Sequence, residues 1–120
     1  MKVFDSFAWI EYFKGSKRAM PIKSHVDSGL PIYTPTICLT EIKSKYLKEG
    51  KDSKERIDFI LDRSLTVELD SEIALLASDF KKGVGLHTVD AIIYASSQSK
   101  GLPLVTGDAH FRSLPQVELI

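Results

Sequence analysis

The 120 residues set sixteen Lys and Arg against sixteen Asp and Glu, with 43% hydrophobic and 27% charged side chains. That size and balance fit one globular domain, residues 1–120, whose core needs neither disulfides nor a structural metal, and whose zero net charge leaves any polyanion to a local patch or to bound cations. The lone Cys38 excludes an internal disulfide and a cysteine zinc site; with no signal peptide and no apolar run near the ~20 residues of a membrane helix, a soluble protein of the reducing cytoplasm is expected.

Lys2 to Phe4 read as a buried strand, and Phe7, Ile10 and Phe13 then recur at helical spacing across Ser6 to Phe13. The run KGSKR turns the chain. Pro21 to Ser28 make a short helix with Pro21 in its first turn and Gly29 as its stop. Ile32 and Tyr33 are strand-like, with Thr34 or Thr36 capping a helix whose stripe is Leu39, Ile42 and Tyr46 and whose end lies near Gly50. Ser53 to Arg63 supply another helix and Leu65 to Val67 a brief strand. Asp70 is an N-cap candidate ahead of Ile73, Leu76, Ala77 and Phe80, a full i, i+3, i+4, i+7 signature. Gly83 and Gly85 break the chain, and Thr88 opens a helix that runs through Ser99 to Gly101. Leu102 to Val105 and Val117 to Leu119 are the last strands. Short apolar strands alternating with helices indicate an α/β fold, three-layered with a central, mainly parallel sheet covered on both faces.

Open α/β sheets bind ligands beyond the carboxyl ends of their strands. Asp5 and Asp108 each follow a short apolar run and fall at such ends; Asp90 sits in the first turn of the helix feeding the last-but-one strand, and Glu41 lies one turn into a helix after a strand. Carboxylates brought within a few ångströms share protons or bind a cation. Oxygen donors without His or Cys select hard cations, Mg²⁺ or Mn²⁺, rather than zinc. Such a site serves phosphoryl chemistry, where two ions about 3.5–4 Å apart activate water and stabilise the leaving oxygen of a phosphodiester. Each acid also has an ordinary reading. Asp5 caps the first helix, Asp108 caps a turn around Ala109–Ser113, Asp90 suits the helix macrodipole, and Glu41 pairs with Lys45 on a solvated face. Caps, however, have no reason to cluster on one side of a sheet.

The segments VFDSFAWIEYF, TPTICLTEI, HTVDAIIYASS and LPLVTGDAHF, in this order and at these separations, resemble the PIN-domain ribonucleases and, more narrowly, the VapC-type toxins of toxin–antitoxin pairs. The resemblance spans essentially the whole chain; its last two segments are the most specific. It implies a compact α/β/α domain that gathers acids around one or two Mg²⁺ or Mn²⁺ ions and cleaves RNA to 5′-phosphate and 3′-hydroxyl ends. The implied catalytic and metal-site acids are Asp5, Glu41, Asp90 and Asp108, with Ser6 and Thr106 as supporting hydroxyls. Asp5, Asp90 and Asp108 are expected to hold the principal ion, and Glu41 a second ion or the attacking water. Many members carry a further acid where His110 stands here, which bears on the affinity for a second ion. The resemblance also implies a homodimer and a small antitoxin laid across an apolar groove near the acids.

Positive charge for RNA is concentrated in residues 43–56, KSKYLKEGKDSKER, six Lys or Arg against three acids. Lys45, Lys48 and Lys51 are the candidate RNA contacts, with Lys14, Lys17 and Arg18 a smaller group; a solvated helix hairpin is the plain reading of the same charge. Trp9, Tyr94 and Cys38 are expected in the core, and His25 and His87 on the surface or in loops. His110 lies close enough to the acids to touch phosphate. A receiver domain would need an acid pair after its first strand and a Lys after its last, and a haloacid-dehalogenase-type phosphatase an acid where Phe7 stands. Those are disfavoured, whereas a catalytically silent α/β binding module stays open at the level of fold.

Overall fold

The first strand to leave the N-terminus becomes the centre of the sheet. In the computed structural model, which describes residues 1–120, the strands are β1 (Lys2–Phe4), β2 (Ile32–Pro35), β3 (Leu65–Val67), β4 (Leu104–Thr106) and β5 (Val117–Leu119). The helices are α1 (Ser6–Lys14), α2 (Met20–Asp27), α3 (Thr36–Lys48), α4 (Lys54–Arg63), α5 (Ser71–Val84) and α6 (Thr88–Lys100), with 3₁₀ turns at Lys17–Ala19 and Ala109–Phe111. Strand order is β3-β2-β1-β4-β5, and every neighbouring pair is parallel. The fold is thus α/β, with a wholly parallel sheet.

Side chains alternate across the pleat, so two cores form. Val3 and Leu104 are register partners facing one side, where they meet Ala77 of α5 and Ala91, Tyr94 and Ala95 of α6. Phe4 and Val105 face the other, against Ala8 and Trp9 of α1, Ile22 of α2, Ile42 of α3 and Ile60 of α4. Removing each large side chain of this kind from water contributes about 1.5–3 kcal/mol. Helix α3 belongs to both sides: its Cys38 joins the α5–α6 core, while Ile42 and Tyr46 join the α1 core. It therefore joins the two cores, with Glu41 between the residues that do so.

Four sequence expectations shift. Neither Thr34 nor Thr36 caps α3: the strand continues to Pro35 and the helix starts with no side-chain cap. Thr34 is fully buried and engaged by the Trp9 indole N–H at 3.0 Å and by Ser64 at 2.8 Å, so its hydroxyl is already committed. Gly83 lies inside α5, and Gly85 alone ends the helix, in the left-handed conformation at φ 80°. Strand β4 starts at Leu104, later than Leu102. His25 is buried on α2, with its ring 5.7 Å from that of Phe4, and is not a surface residue. Trp9, Tyr94 and Cys38 are buried. No helix is long and apolar enough to cross a membrane.

Candidate metal centre

The chain runs β1, β2, β3 toward one edge of the sheet, then returns to place β4 on the other side of β1. The carboxyl ends of β1 and β4 therefore flank the switch point, the crevice that open α/β sheets use for ligands. Asp5 continues β1, its N–H donating to the Val105 carbonyl at 3.3 Å. Asp5 is only 3% exposed. Oδ1 accepts the Ala8 N–H at 2.9 Å as the N-cap of α1, and Oδ2 accepts the Thr106 hydroxyl from β4. The Thr106 oxygen in turn accepts the Asp108 N–H at 3.0 Å. One hydroxyl thus fixes Asp5 and the backbone that carries Asp108.

Glu41 arrives from α3. Its Oε1 accepts the Ser6 hydroxyl at 2.8 Å, and Lys45, its partner in the ordinary reading of a solvated face, pairs with Glu49 at 3.0 Å instead. Asp90, in the first turn of α6, and Asp108, which caps the 3₁₀ turn by accepting the His110 N–H at 2.9 Å, complete the group of acids. Between these two stands the His110 imidazole, its Nδ1 3.2 Å from Asp90 Oδ2 and 3.3 Å from Asp108 Oδ1.

The acids also act on one another electrostatically. The Asp5 carboxyl is pushed up to about 7, first by burial and then by the charges of Glu41 and Asp108, against the lowering hydrogen bonds from Thr106 and Ala8. Glu41 is raised by burial and by Asp90 and Asp108. Asp90 is raised by burial and by Asp108, with His110 opposing. Three carboxyls held above their ordinary values, first by desolvation and then by neighbouring acids, leave their ionised forms without compensating charge. A divalent cation supplies that compensation, and a donor set dominated by carboxylate oxygens suits Mg²⁺ or Mn²⁺. The donor chemistry therefore fits the cation.

The structure brings Asp5, Glu41, Asp90 and Asp108 to one end of the sheet, with Ser6 and Thr106 hydrogen-bonded to two of them. Asp5 and Asp108 are caps as well as members of the cluster. The charge-rich hairpin lies beside it: Thr40, Glu41, Ser44, Lys45, Lys48 and Glu49 line a groove of about 440 Å³ that reaches the acids through Glu41. Lys51 is tied back to Glu49 at 3.5 Å. Gly107 is a contributor that the sequence reading passed over. A Cβ there would lie 2.1 Å from the Phe7 ring, so only hydrogen fits between the Thr106 and Asp108 positions. The signal was present as a Gly beside the acid, but its steric reason lies 100 residues away in α1.

A family model described as PIN domain matches residues 2–117. By structure, the chain is similar to one of a toxin–antitoxin complex from Klebsiella pneumoniae, at a TM-score of 0.81 and 23% identity, covering 98% of this chain and 96% of that one. It is also similar to a chain of VapBC2 from Rickettsia felis bound to a promoter DNA fragment, at 0.79 and 14% identity over 99% and 96%. A third similarity is to DNA-bound VapBC from Salmonella typhimurium, at 0.74 and 16% identity over 100% and 97%. No curated protein matches the sequence by itself. The parallel sheet, the acids at its switch point and the family match over nearly the whole length agree: the chain belongs to the PIN domain family.

Proposed function

We propose that residues 1–120 act as one nuclease domain, a Mg²⁺- or Mn²⁺-dependent endoribonuclease that serves in the cytoplasm as the toxin of a type II toxin–antitoxin pair, working as a homodimer and restrained by a small antitoxin. The observation that carries this reading is the meeting of Asp5, Glu41, Asp90 and Asp108 at the β1–β4 switch point of a PIN fold. Its structural neighbours, chains of toxin–antitoxin and VapBC complexes, support the biological role.

Asp5, Asp90 and Asp108 would hold the principal ion, and Glu41 a second ion or the attacking water. A bound ion supplies Lewis-acid stabilisation of charge developing on phosphoryl oxygens. The protein's own groups prepare the rest. Thr106 and the Ala8 N–H each take one lone pair of Asp5, which fixes its plane and leaves the other lone pairs free. Ser6 fixes Glu41 through Oε1, leaving Oε2 to accept a proton from water. Lys48 lies in the groove beside Glu41, where it can meet an RNA phosphate. No side-chain nucleophile is needed.

Purified protein incubated with structured RNAs should cleave them with Mn²⁺ and not without it, and Asp90→Asn or Asp5→Asn should lower the rate by about 10³-fold or more, the scale of removing a main electrostatic contributor. Absence of cleavage, together with no Mg²⁺- or Mn²⁺-linked rise in Tm, would leave a catalytically silent binding module as the better reading. A short reading frame for a DNA-binding antitoxin immediately upstream is the expected genomic setting.

A further inference from the structure

This inference rests on reading the acid cluster as a cation site, and concerns which cation its outer half selects. His110 puts an imidazole beside Asp90 and Asp108, in a cluster whose other donors are carboxylates. Its Nδ1 stands 3.2 Å from Asp90 Oδ2 and 3.3 Å from Asp108 Oδ1, and one donor atom from each of the three residues lies within 4.8 Å of the others. The 3.2 Å contact is a hydrogen bond between the imidazole and Asp90; a cation that takes the place of its proton would find one donor atom of each of the three residues within reach.

A second imidazole lies beside them. His87 is the N-cap residue of α6, yet its side chain makes no capping hydrogen bond. Its ring centroid is 6.0 Å from that of His110, and both rings, with Asp90, line a cavity of about 130 Å³ closed by Val84, Gly85 and Leu86. Two imidazoles on one tetrahedral ion hold their centroids about 5 Å apart. An approach of about 1 Å would bring His87 in as a fourth donor. Carboxylates alone favour hard cations, whereas imidazole shifts preference toward zinc and its first-row neighbours.

The geometry points to a zinc site on the outer rim of the centre, made by Asp90, Asp108 and His110 with His87 as the fourth ligand. It shares two carboxylates with the inner Mg²⁺ or Mn²⁺ position and makes no use of Asp5 or Glu41. Because Asp90 and Asp108 serve both positions, Zn²⁺ and Mg²⁺ compete, and zinc is an inhibitor set by the cation balance of the cell. Cys38, the only thiol, is buried and takes no part.

Calorimetric titration of the untagged, chelator-stripped full chain with ZnCl₂ and with MgCl₂ tests this. Zn²⁺ should bind one to one, about 100-fold more tightly than Mg²⁺, and should raise the apparent Kd for Mg²⁺ in competition. His110→Ala should weaken Zn²⁺ about tenfold or more while leaving Mg²⁺ within about twofold, and His87→Ala should weaken Zn²⁺ by a smaller factor. Asp5→Asn should weaken Mg²⁺ and spare Zn²⁺. Co²⁺ in place of Zn²⁺ should show the intense visible absorption of a tetrahedral site, lost in His110→Ala. Mg²⁺ binding with no zinc preference, or zinc binding indifferent to His110, overturns the zinc site and leaves the nuclease reading intact. Zinc binding without any Mg²⁺ or Mn²⁺ binding overturns the nuclease reading and leaves the zinc site; failure of all three cations to bind overturns both.

Discussion

Asp5 holds a helix, joins two strands and carries charge where three other carboxylates gather. The first two roles are satisfied by hydrogen bonds from Ala8 and Thr106; the third opposes folding. In the unfolded chain its carboxyl titrates near 3.8, whereas in the folded protein burial and the neighbouring acids raise it to about 7. Between those values the native state retains a proton that the unfolded chain has released, so stability falls as pH rises from about 4 to about 7 and then levels. Glu41 and Asp90, also raised, act in the same direction. For Asp5 alone the loss is on the order of 4 kcal/mol. Metal-free protein is therefore expected to melt at a lower temperature at pH 7.5 than at pH 5, and saturating Mg²⁺ should remove most of that difference. Asp5→Asn keeps a capping oxygen for Ala8 and loses the charge. It should raise the Tm of the metal-free protein at pH 7.5 and abolish the Mg²⁺-linked rise. A metal-free Tm that climbs steadily from pH 5 to 7.5 would mean that these acids do not share one desolvated pocket.

At the level of elements, the site depends on the fit of α1 against the turn that follows β4. Phe7 fills the space over Gly107 so fully that an added Cβ would meet three ring carbons within 2.8 Å, while the Arg18 guanidinium lies 5.1 Å from the centre of the same ring. Gly107→Ala must displace either the ring or the backbone between Thr106 and Asp108. An overpacked contact of this kind costs about 1–3 kcal/mol. The expected result is a lower Tm together with weaker Mg²⁺ binding, and the double variant Phe7→Ala/Gly107→Ala should restore Mg²⁺ affinity by vacating the space. Equal affinities in all three proteins would show that the turn holds Asp108 without help from α1. Most elements were legible in the sequence, because apolar periodicity is local: Phe7, Ile10 and Phe13 mark the helix at Ser6–Lys14, and Ile73, Leu76, Ala77 and Phe80 mark the one at Ser71–Val84. The Phe7–Gly107 contact was not legible. Neither was the choice of Glu41 as the partner of Ser6 and of Asp90 and Asp108 as the partners of His110. Each depends on which strand lies beside which, and one sequence carries no direct record of that order. Asp5 and Asp108 were ambiguous for a related reason. Capping and membership of a charged cluster call for the same residue type at the same helix start.

At the scale of the whole molecule, the question is how a chain with no net charge holds a polyanion at a pocket of acids. The groove beside Glu41 gives an answer in the placement of lysines, and Glu49 limits it. Glu49 pairs with Lys45 at 3.0 Å and with Lys51 at 3.5 Å, and its carboxyl is held below the ordinary value first by the Lys45 hydrogen bond and then by both lysine charges. Two of the three candidate RNA contacts are thus partly neutralised within the protein, and Lys48 is the one that carries its charge unpaired. Each lysine that meets a phosphate releases counterions, and for single strands the slope of log K against log salt is about 0.7 per contact. Binding measured in the Asp90→Asn background, where cleavage is suppressed, should respond accordingly. Lys48→Ala should weaken RNA binding and flatten the slope by about 0.7, whereas Glu49→Gln should tighten binding and steepen it by about 0.7–1.4. The Glu49 result is the more discriminating, since removing an acid from a surface outside the RNA path would leave the slope almost unchanged. A steeper slope would place RNA along α3, with its backbone led from the lysine groove toward Glu41 and the cation site. An unchanged slope in both variants would move the RNA path away from α3, toward Lys14, Lys17 and Arg18 at the end of α1.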